Sequence, residues 1–147
     1  MKINLTRDMG TYYVDEKKGK VVCVFEETAP MFIYYAEQNL RIKPSCDSEN
    51  VEQSRLYQKL LMPNRFTGIA TCNPKDEFSV EHGKLIAFSK AKDKIQRSFF
   101  KRADLYVRSI DDWLADAVDS INKYGEKLEK NTEKRHKRIS DIVGEKE

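Results

Sequence analysis

A repeat of apolar residues in the second half of this chain limits the possible folds more than any other feature. The repeat consists of Ile95, Phe99, Ala103, Tyr106, Ile110, Trp113, Ala117, Ile121, Tyr124 and Leu128. Its nine steps span 33 residues, an average of about 3.67 residues per step. That average is close to the α-helical period and longer than the 3.5 of a left-handed coiled coil. The sequence therefore predicts a long C-terminal helix.

The length of this helix leaves two arrangements open. A helix of about 45 residues would be roughly 65–70 Å long at 1.5 Å per residue, which is more than the rest of a small domain can cover. Either the helix continues and pairs with another copy of the chain, or it breaks near Ser109 and forms a helical hairpin. Ser109 could cap a new helix, because Asp111 and Asp112 would lie in its first turn.

Residues 11–26 predict a β-hairpin. Residues 12–14 and 21–25 are rich in aromatic and β-branched side chains, which suit a pleated, half-buried surface. The charged segment between them contains Gly19, which can adopt the positive φ that such turns often need.

A further strand is predicted at residues 66–72, where one face carries small residues. Gly68 and Ala70 lie on that face, so a helix or a neighbouring backbone can pack closely over it. Residues 73–76 form a turn with proline at its second position. The long helix then begins between residues 79 and 84.

Two segments before this strand have more than one interpretation. Residues 31–40 are rich in aromatic side chains without a clear period, so they fit either a short helix or a strand. Residues 51–62 predict a helix that Ser48 or Asn50 would cap and that the following proline would stop. A strand over residues 60–62 is the competing interpretation.

Together these elements predict an α+β fold, in which a small antiparallel sheet is followed by a long C-terminal helix or helical hairpin. The chain has 147 residues, which is enough for one domain with a buried core. Residues 1–83 are expected to form a mainly β or mixed core. Residues 84–130 form the long amphipathic helix or helical hairpin of the same domain. Residues 131–147 form a charged tail, which is either a solvated helix that frays or a disordered end.

The sequence predicts neither a metal site nor a catalytic site. The three cysteines are widely spaced without a Cys-x-x-Cys pair, and the two histidines are far apart. That distribution suits neither zinc binding nor a disulfide framework. No nucleophile is placed by its spacing beside His82. We therefore expect reduced cysteines, no metal, no cofactor and no enzymatic activity.

The hydropathy of the chain predicts a soluble, cytoplasmic protein. No segment approaches the roughly 18–20 apolar residues of a membrane span. The N-terminus lacks the apolar run of a secretory signal peptide.

The best candidate for a binding surface is the basic start of the long helix. Residues 84–110 carry eight basic and two acidic residues. The candidate contact residues are Lys90, Lys94, Arg97, Lys101, Arg102 and Arg108. Most of them follow helical steps of three, four or seven residues and would lie along one stripe, a pattern typical of contact with nucleic acid or a nucleoprotein. The competing interpretations are a solvated face and pairing with an acidic segment in a hairpin.

That acidic segment follows directly. Residues 111–129 carry two basic and six acidic residues. Within it, Asp112, Asp116 and Asp119 share a helix face and could mimic phosphates toward a basic partner channel. The competing interpretation is that these carboxylates cap the helix and pair with lysines one turn away.

A motif across residues 68–94 resembles one found in small accessory proteins of bacteriophages and prophages of Gram-positive bacteria. Its residues here are Gly68, Ala70, Cys72, Pro74, Asp76, Phe78, Gly83, Ile86, Ala87 and Lys90 to Lys94. The motif covers about a fifth of the chain and departs from the pattern at Phe88 and Ser89, where a basic residue is common. The resemblance implies a phage accessory protein without specifying an activity. Packing explains the same residues, since Gly83 permits a tight approach and Ala87 can pack on the strand.

Two functions follow from these observations as hypotheses. The first is a non-enzymatic phage accessory protein that binds and inhibits a host or defence machine in the host cytoplasm, such as a nucleic-acid-guided nuclease, in the manner of an anti-CRISPR protein. The second is a protein that binds DNA or RNA directly through the basic helix. A homodimer through the long helix is a further expectation.

Overall fold

A three-stranded antiparallel sheet and one long helix dominate the fold. The structure, a computed structural model, describes residues 4–41, 44 and 51–145. In chain order its elements are β1 (Thr11–Asp15), β2 (Lys20–Glu26), α1 (Met31–Asn39), α2 (Val51–Leu60), β3 (Arg65–Thr71) and α3 (Val80–Gly144), with a short 3-10 helix at Arg7–Met9. The predicted α+β class, with a small sheet before a long C-terminal helix, is confirmed.

The central strand of the sheet is β2, which pairs with β1 on one side and β3 on the other. In the hairpin, Thr11 lies opposite Val24 and Asp15 lies opposite Lys20. Gly19 in the turn has a φ of 58°, a left-handed conformation that a residue without Cβ adopts at little cost. The predicted hairpin is confirmed, including the role of its glycine.

The small residues of β3 allow the backbone of α3 to lie directly against the strand. Phe66, Gly68 and Ala70 are buried and alternate with more exposed neighbours. A Cβ atom added at Gly68 would overlap the Ala87 carbonyl oxygen and would lie 2.5 Å from the Ala91 nitrogen. This contact confirms the prediction that a helix packs closely over the small face of the strand.

The first turns of α3 also contact β2 and β1. A Cβ atom at Gly83 would lie 2.5 Å from Val21 Cγ2, so this glycine too permits a tight approach. Further along the helix the rings of Phe25 and Phe88 are 6.1 Å apart. Together with the contact at Gly68, these contacts hold the first turns of α3 against one face of the sheet.

Helix α1 packs on α3 through an aromatic cluster. The ring of Phe99 lies 5.1 Å from that of Phe32 and 5.4 Å from that of Tyr35, both edge-on. Tyr106 adds a third edge-on contact, 5.9 Å from Phe32. Such geometries are favourable because the positive ring edge meets the negative ring face. Residues 31–39 form a helix, so of the two interpretations of this segment the helical one is confirmed.

Residues 60–62 do not form the alternative strand. Leu60 ends α2, and the Met62 nitrogen donates one backbone hydrogen bond to the Ala29 carbonyl at 2.8 Å. The Thr28 hydroxyl donates to the Pro63 carbonyl. These bonds attach the loop after α2 to the segment between β2 and α1 without a strand ladder. The predicted caps at Ser48 and Asn50 lie outside the described residues.

Helix α3 is continuous from Val80 to Gly144. The turn before it is closed by a 2.9 Å bond from the Asp76 nitrogen to the Asn73 carbonyl, and the Ser79 hydroxyl accepts a hydrogen bond from the His82 nitrogen. Of the two arrangements that the sequence left open, the structure has the continuous helix, and the alternative of a break at Ser109 with a helical hairpin is wrong. Residues 107–114 contain no glycine or proline to interrupt the helix.

The chain consists of two compact units, Met1–Tyr106 and Val107–Glu147. The first unit contains all the buried side chains of the described residues, and its part of α3 contributes Ala87, Ala91, Ile95 and Phe99 to the core. The described residues of the second unit are helical up to Gly144, including residues 131–144, which the sequence assigned to a fraying or disordered tail.

We expect Gly68→Ala to destabilise the first unit by about 2–3 kcal/mol, because the new methyl group meets helix backbone that cannot rotate away. Urea unfolding followed by near-UV circular dichroism of the aromatic cluster measures this loss. Gly125→Ala is the matched control, since nothing lies within 4 Å of its added Cβ. Because Gly125 lies in the second unit, this substitution should leave the unfolding of the aromatic cluster in the first unit unchanged. Equal effects of the two substitutions would contradict the close contact at Gly68.

Candidate interaction surface

Two lysines of the predicted basic stretch are bound to the edge of the sheet. Lys90 Nζ donates to the Ile69 carbonyl at 3.0 Å, and Lys94 Nζ donates to the Thr67 carbonyl at 2.7 Å. In the sheet β3 pairs with β2 alone, so these carbonyls lie on its open edge, where charged side chains discourage pairing with other strands. Each ammonium group is held in position and keeps two further N–H donors.

Arg97 and Lys101 continue the same stripe along α3. Lys90, Lys94, Arg97 and Lys101 are all exposed and follow steps of four, three and four residues; we name these four residues the basic row. The row extends over about 16 Å of helix at 1.5 Å per residue. A shallow groove beside it is lined by Ile69, Lys90, Asp93, Lys94 and Arg97. Asp93 is acidic and lowers the positive potential of this groove.

Arg102 stabilises the fold and does not extend the basic row. Its Nε donates to the Leu61 carbonyl at 3.3 Å. Its Nη1 donates to the Ser98 hydroxyl at 2.9 Å and to the Ser98 carbonyl at 3.4 Å. The guanidinium group therefore ties α3 to the loop after α2. Its spacing in the sequence grouped it with the contact residues, but Arg102 is half-buried, whereas Lys90 and Lys94 are exposed.

Arg108 and the predicted acidic face belong to the second unit. Asp112, Asp116 and Asp119 are exposed on the helix. Asp119 pairs with Lys123, one turn further on, at 2.8 Å. This pair is the intrahelical arrangement that the competing interpretation of the acidic face described. An exposed pair of this kind contributes only about 0.3–0.5 kcal/mol.

A feature that the sequence did not isolate is a row of exposed apolar residues in the second unit. Val107, Ile110, Leu114, Ala117, Ile121, Tyr124 and Leu128 follow alternating steps of three and four residues; we name these seven residues the apolar stripe. Five of the seven are exposed by 47–69%, and the other two are half-buried. The average period of 3.67 concealed this pattern, because it joined core residues before Tyr106 to exposed residues after it.

Burial changes the pKa values of two neighbouring side chains, Tyr12 on β1 and Cys23 on β2. It raises the pKa of Tyr12 to about 12, and the nearby Cys23 thiol contributes to that rise. It also raises the pKa of the Cys23 thiol, whose side chain is fully buried. The Tyr12 hydroxyl donates to the Arg7 carbonyl at 2.9 Å. A buried neutral thiol beside a neutral phenol is a packing arrangement and provides no activated nucleophile.

No family model, curated protein or solved structure matches this chain.

None of the helices in the described residues combines the length and the apolar character needed to cross a bilayer. Within residues 4–41, 44 and 51–145, no group of three or more His, Cys, Asp or Glu side chains is arranged to hold a metal ion.

We expect Arg102→Ala to lower the free energy of unfolding of the first unit by about 1–3 kcal/mol, because the Leu61 carbonyl and Ser98 lose their donors. Arg97→Ala, five residues earlier at an exposed position, is the control and should change stability by no more than about 0.5 kcal/mol. Urea unfolding compares the two variants. If Arg102→Ala left the free energy of unfolding unchanged, Arg102 would have no stabilising role and would again be a candidate contact residue.

Cys23 should react with iodoacetamide far more slowly than Cys72 in the folded protein at pH 8. Burial both shields the Cys23 thiol and raises its pKa, so the reactive thiolate is scarce. Cys72 is only half-buried. Peptide mass spectrometry over a time course gives the two rates, and a sample in urea should make them similar. Equal rates without urea would contradict the burial of Cys23.

Proposed function

We propose that this protein is a non-enzymatic binding protein that uses the basic row to dock on an acidic macromolecular surface. The observation that carries the proposal is the attachment of Lys90 and Lys94 to the carbonyls of β3. A free lysine side chain loses up to about 2 kcal/mol of rotamer entropy when it is immobilised. Because these two are already held, less of that cost remains to be met when a partner binds.

We further propose that the partner is a host or defence machine and that binding inhibits it. The phage-like motif at residues 68–94 supports this origin, and the charge of the basic row supports a partner with an acidic surface or bound nucleic acid. A nucleic-acid-guided nuclease in the host cytoplasm belongs to that class. Inhibition would result from covering the surface that the machine's own nucleic acid or acidic segment occupies.

Direct binding of DNA or RNA is the second candidate, since the basic row also fits a phosphate backbone. Its length of about 16 Å allows only a few phosphate contacts. Asp93 in the adjoining groove opposes a polyanion, and Arg102 is engaged in the fold. These observations favour a protein or nucleoprotein partner over free nucleic acid.

Affinity capture from a Gram-positive host lysate tests the first candidate. We expect a partner that is retained after nuclease digestion and lost with the double variant Lys94→Glu and Lys101→Glu. Lys17→Glu with Lys75→Glu is the control, because it changes the net charge equally at exposed positions outside the row. A partner that the control also loses, or that the row variant keeps, would exclude the basic row as the contact surface.

The salt dependence of nucleic-acid affinity tests the second candidate. If the four cations of the row contact phosphates, the logarithm of the affinity should fall against the logarithm of salt with a slope of roughly −3 to −4. The double variant Lys94→Glu and Lys101→Glu should abolish binding, whereas the control double variant Lys17→Glu and Lys75→Glu should retain it. Fluorescence anisotropy with a labelled 20-mer, single- or double-stranded, provides the measurement. An absence of binding at low salt would leave only the first candidate.

A further inference from the structure

The apolar stripe has the spacing of a coiled-coil seam. From Val107 to Leu128 its six steps cover 21 residues, or 3.5 residues per step, the period at which two helices supercoil around each other. In heptad notation the stripe occupies every a and d position of this segment. Trp113 and Val118 flank it on either side, at g and e positions, and are also exposed.

The stripe exposes more apolar surface than isolated side chains would. Ile121 is 69% exposed, Tyr124 62% and the flanking Trp113 65%. With the other exposed members, these side chains present roughly several hundred Å² on one helix face, which approaches the ~800 Å² that each partner buries in a standard protein interface. Contiguous apolar patches of this size mark interaction sites on proteins.

We propose that this surface is covered by a second copy of the chain, and that the two helices pair antiparallel across residues 110–128. A two-fold axis at residue 119 places apolar residues opposite each other in every layer. Ile110 lies opposite Leu128 of the other copy, Leu114 opposite Tyr124, and Ala117 opposite Ile121. Val118, at an e position one residue from the axis, then lies beside Val118 of the other copy. The interface is isologous, which is the usual geometry of a homodimer.

Side-chain size favours the antiparallel direction over the parallel one. An antiparallel pair sets the small Ala117 against the larger Ile121 of the other copy, so large and small residues interdigitate across the seam. A parallel pair would set Ala117 against its own copy and Tyr124 against its own copy, which leaves a gap in one layer and crowds another. At the flanking g positions the antiparallel pair also brings Lys127 near Trp113 of the other copy, where a cation and an indole ring attract each other.

This interface lies entirely within the second unit and does not involve the basic row. The inference therefore stands independently of the proposed function. Substitutions in the stripe should alter the oligomeric state, while substitutions in the row should alter partner binding.

The mass of the full chain in solution tests the pairing. Sedimentation equilibrium at tens of micromolar should give twice the chain mass of 17.2 kDa. Ile121→Asp, which places a carboxylate in the seam, should return the mass to that of one chain. Asn122→Asp is the matched control, because it adds the same charge one residue away at a b position and should leave the dimer intact. Near-UV circular dichroism of the aromatic cluster in the first unit confirms that each variant is folded.

A photo-crosslink tests the direction of pairing. With p-benzoylphenylalanine in place of Tyr124, irradiation should produce an adduct to a peptide containing Leu114. Mixing isotopically labelled and unlabelled chains shows that the adduct joins two copies. An adduct to residues 121–127 would instead indicate parallel helices and would overturn the proposed alignment.

Three results would overturn the pairing itself. They are a strict monomer at high concentration, a trimer or larger assembly, and a dimer that survives Ile121→Asp.

Discussion

The close passage of α3 over Gly68 is the contact on which the rest of the structure depends. The helix backbone at Ala87 and Ala91 lies so near the strand that no side chain fits between them. Such an approach requires small residues on both elements. It allows the sheet, the start of α3 and the aromatic cluster around Phe99 to share one core. A single added methyl group at Gly68 would therefore destabilise the core of the whole first unit.

The same contact determines where the basic row lies relative to the edge of β3. Lys90 and Lys94 each follow, by three residues, one of the two alanines that touch β3, so their side chains leave the helix beside the contact and reach around the edge of the strand. Their bonds to the β3 carbonyls cover part of an edge that could otherwise pair with another strand. They also keep the charges in fixed positions. Protection of the strand edge and preparation of a binding surface are two consequences of one geometry.

Helix α3 changes its role at the boundary between Tyr106 and Val107. Before the boundary one face of the helix is buried against the sheet and α1; after it none of the described apolar residues is fully buried. Helix propensity and intrahelical pairs such as Asp119–Lys123 contribute little by themselves to a long exposed helix. If a second copy covers the stripe, the stability of the second unit depends on protein concentration through mass action. The first unit has its own core and does not require this pairing.

Local signals in the sequence determined most of the elements. Gly19 indicated the turn, the small face at Gly68 indicated close packing, and the apolar period indicated the long helix. Only the tertiary structure decided which apolar residues of that helix are buried, because a period identifies an apolar side without saying what covers it. Only the tertiary structure showed that Lys90 and Lys94 bind carbonyls, since these belong to residues 21 and 27 positions earlier in the chain. Distances of that kind arise when the helix packs on the sheet, and no spacing within the helix encodes them.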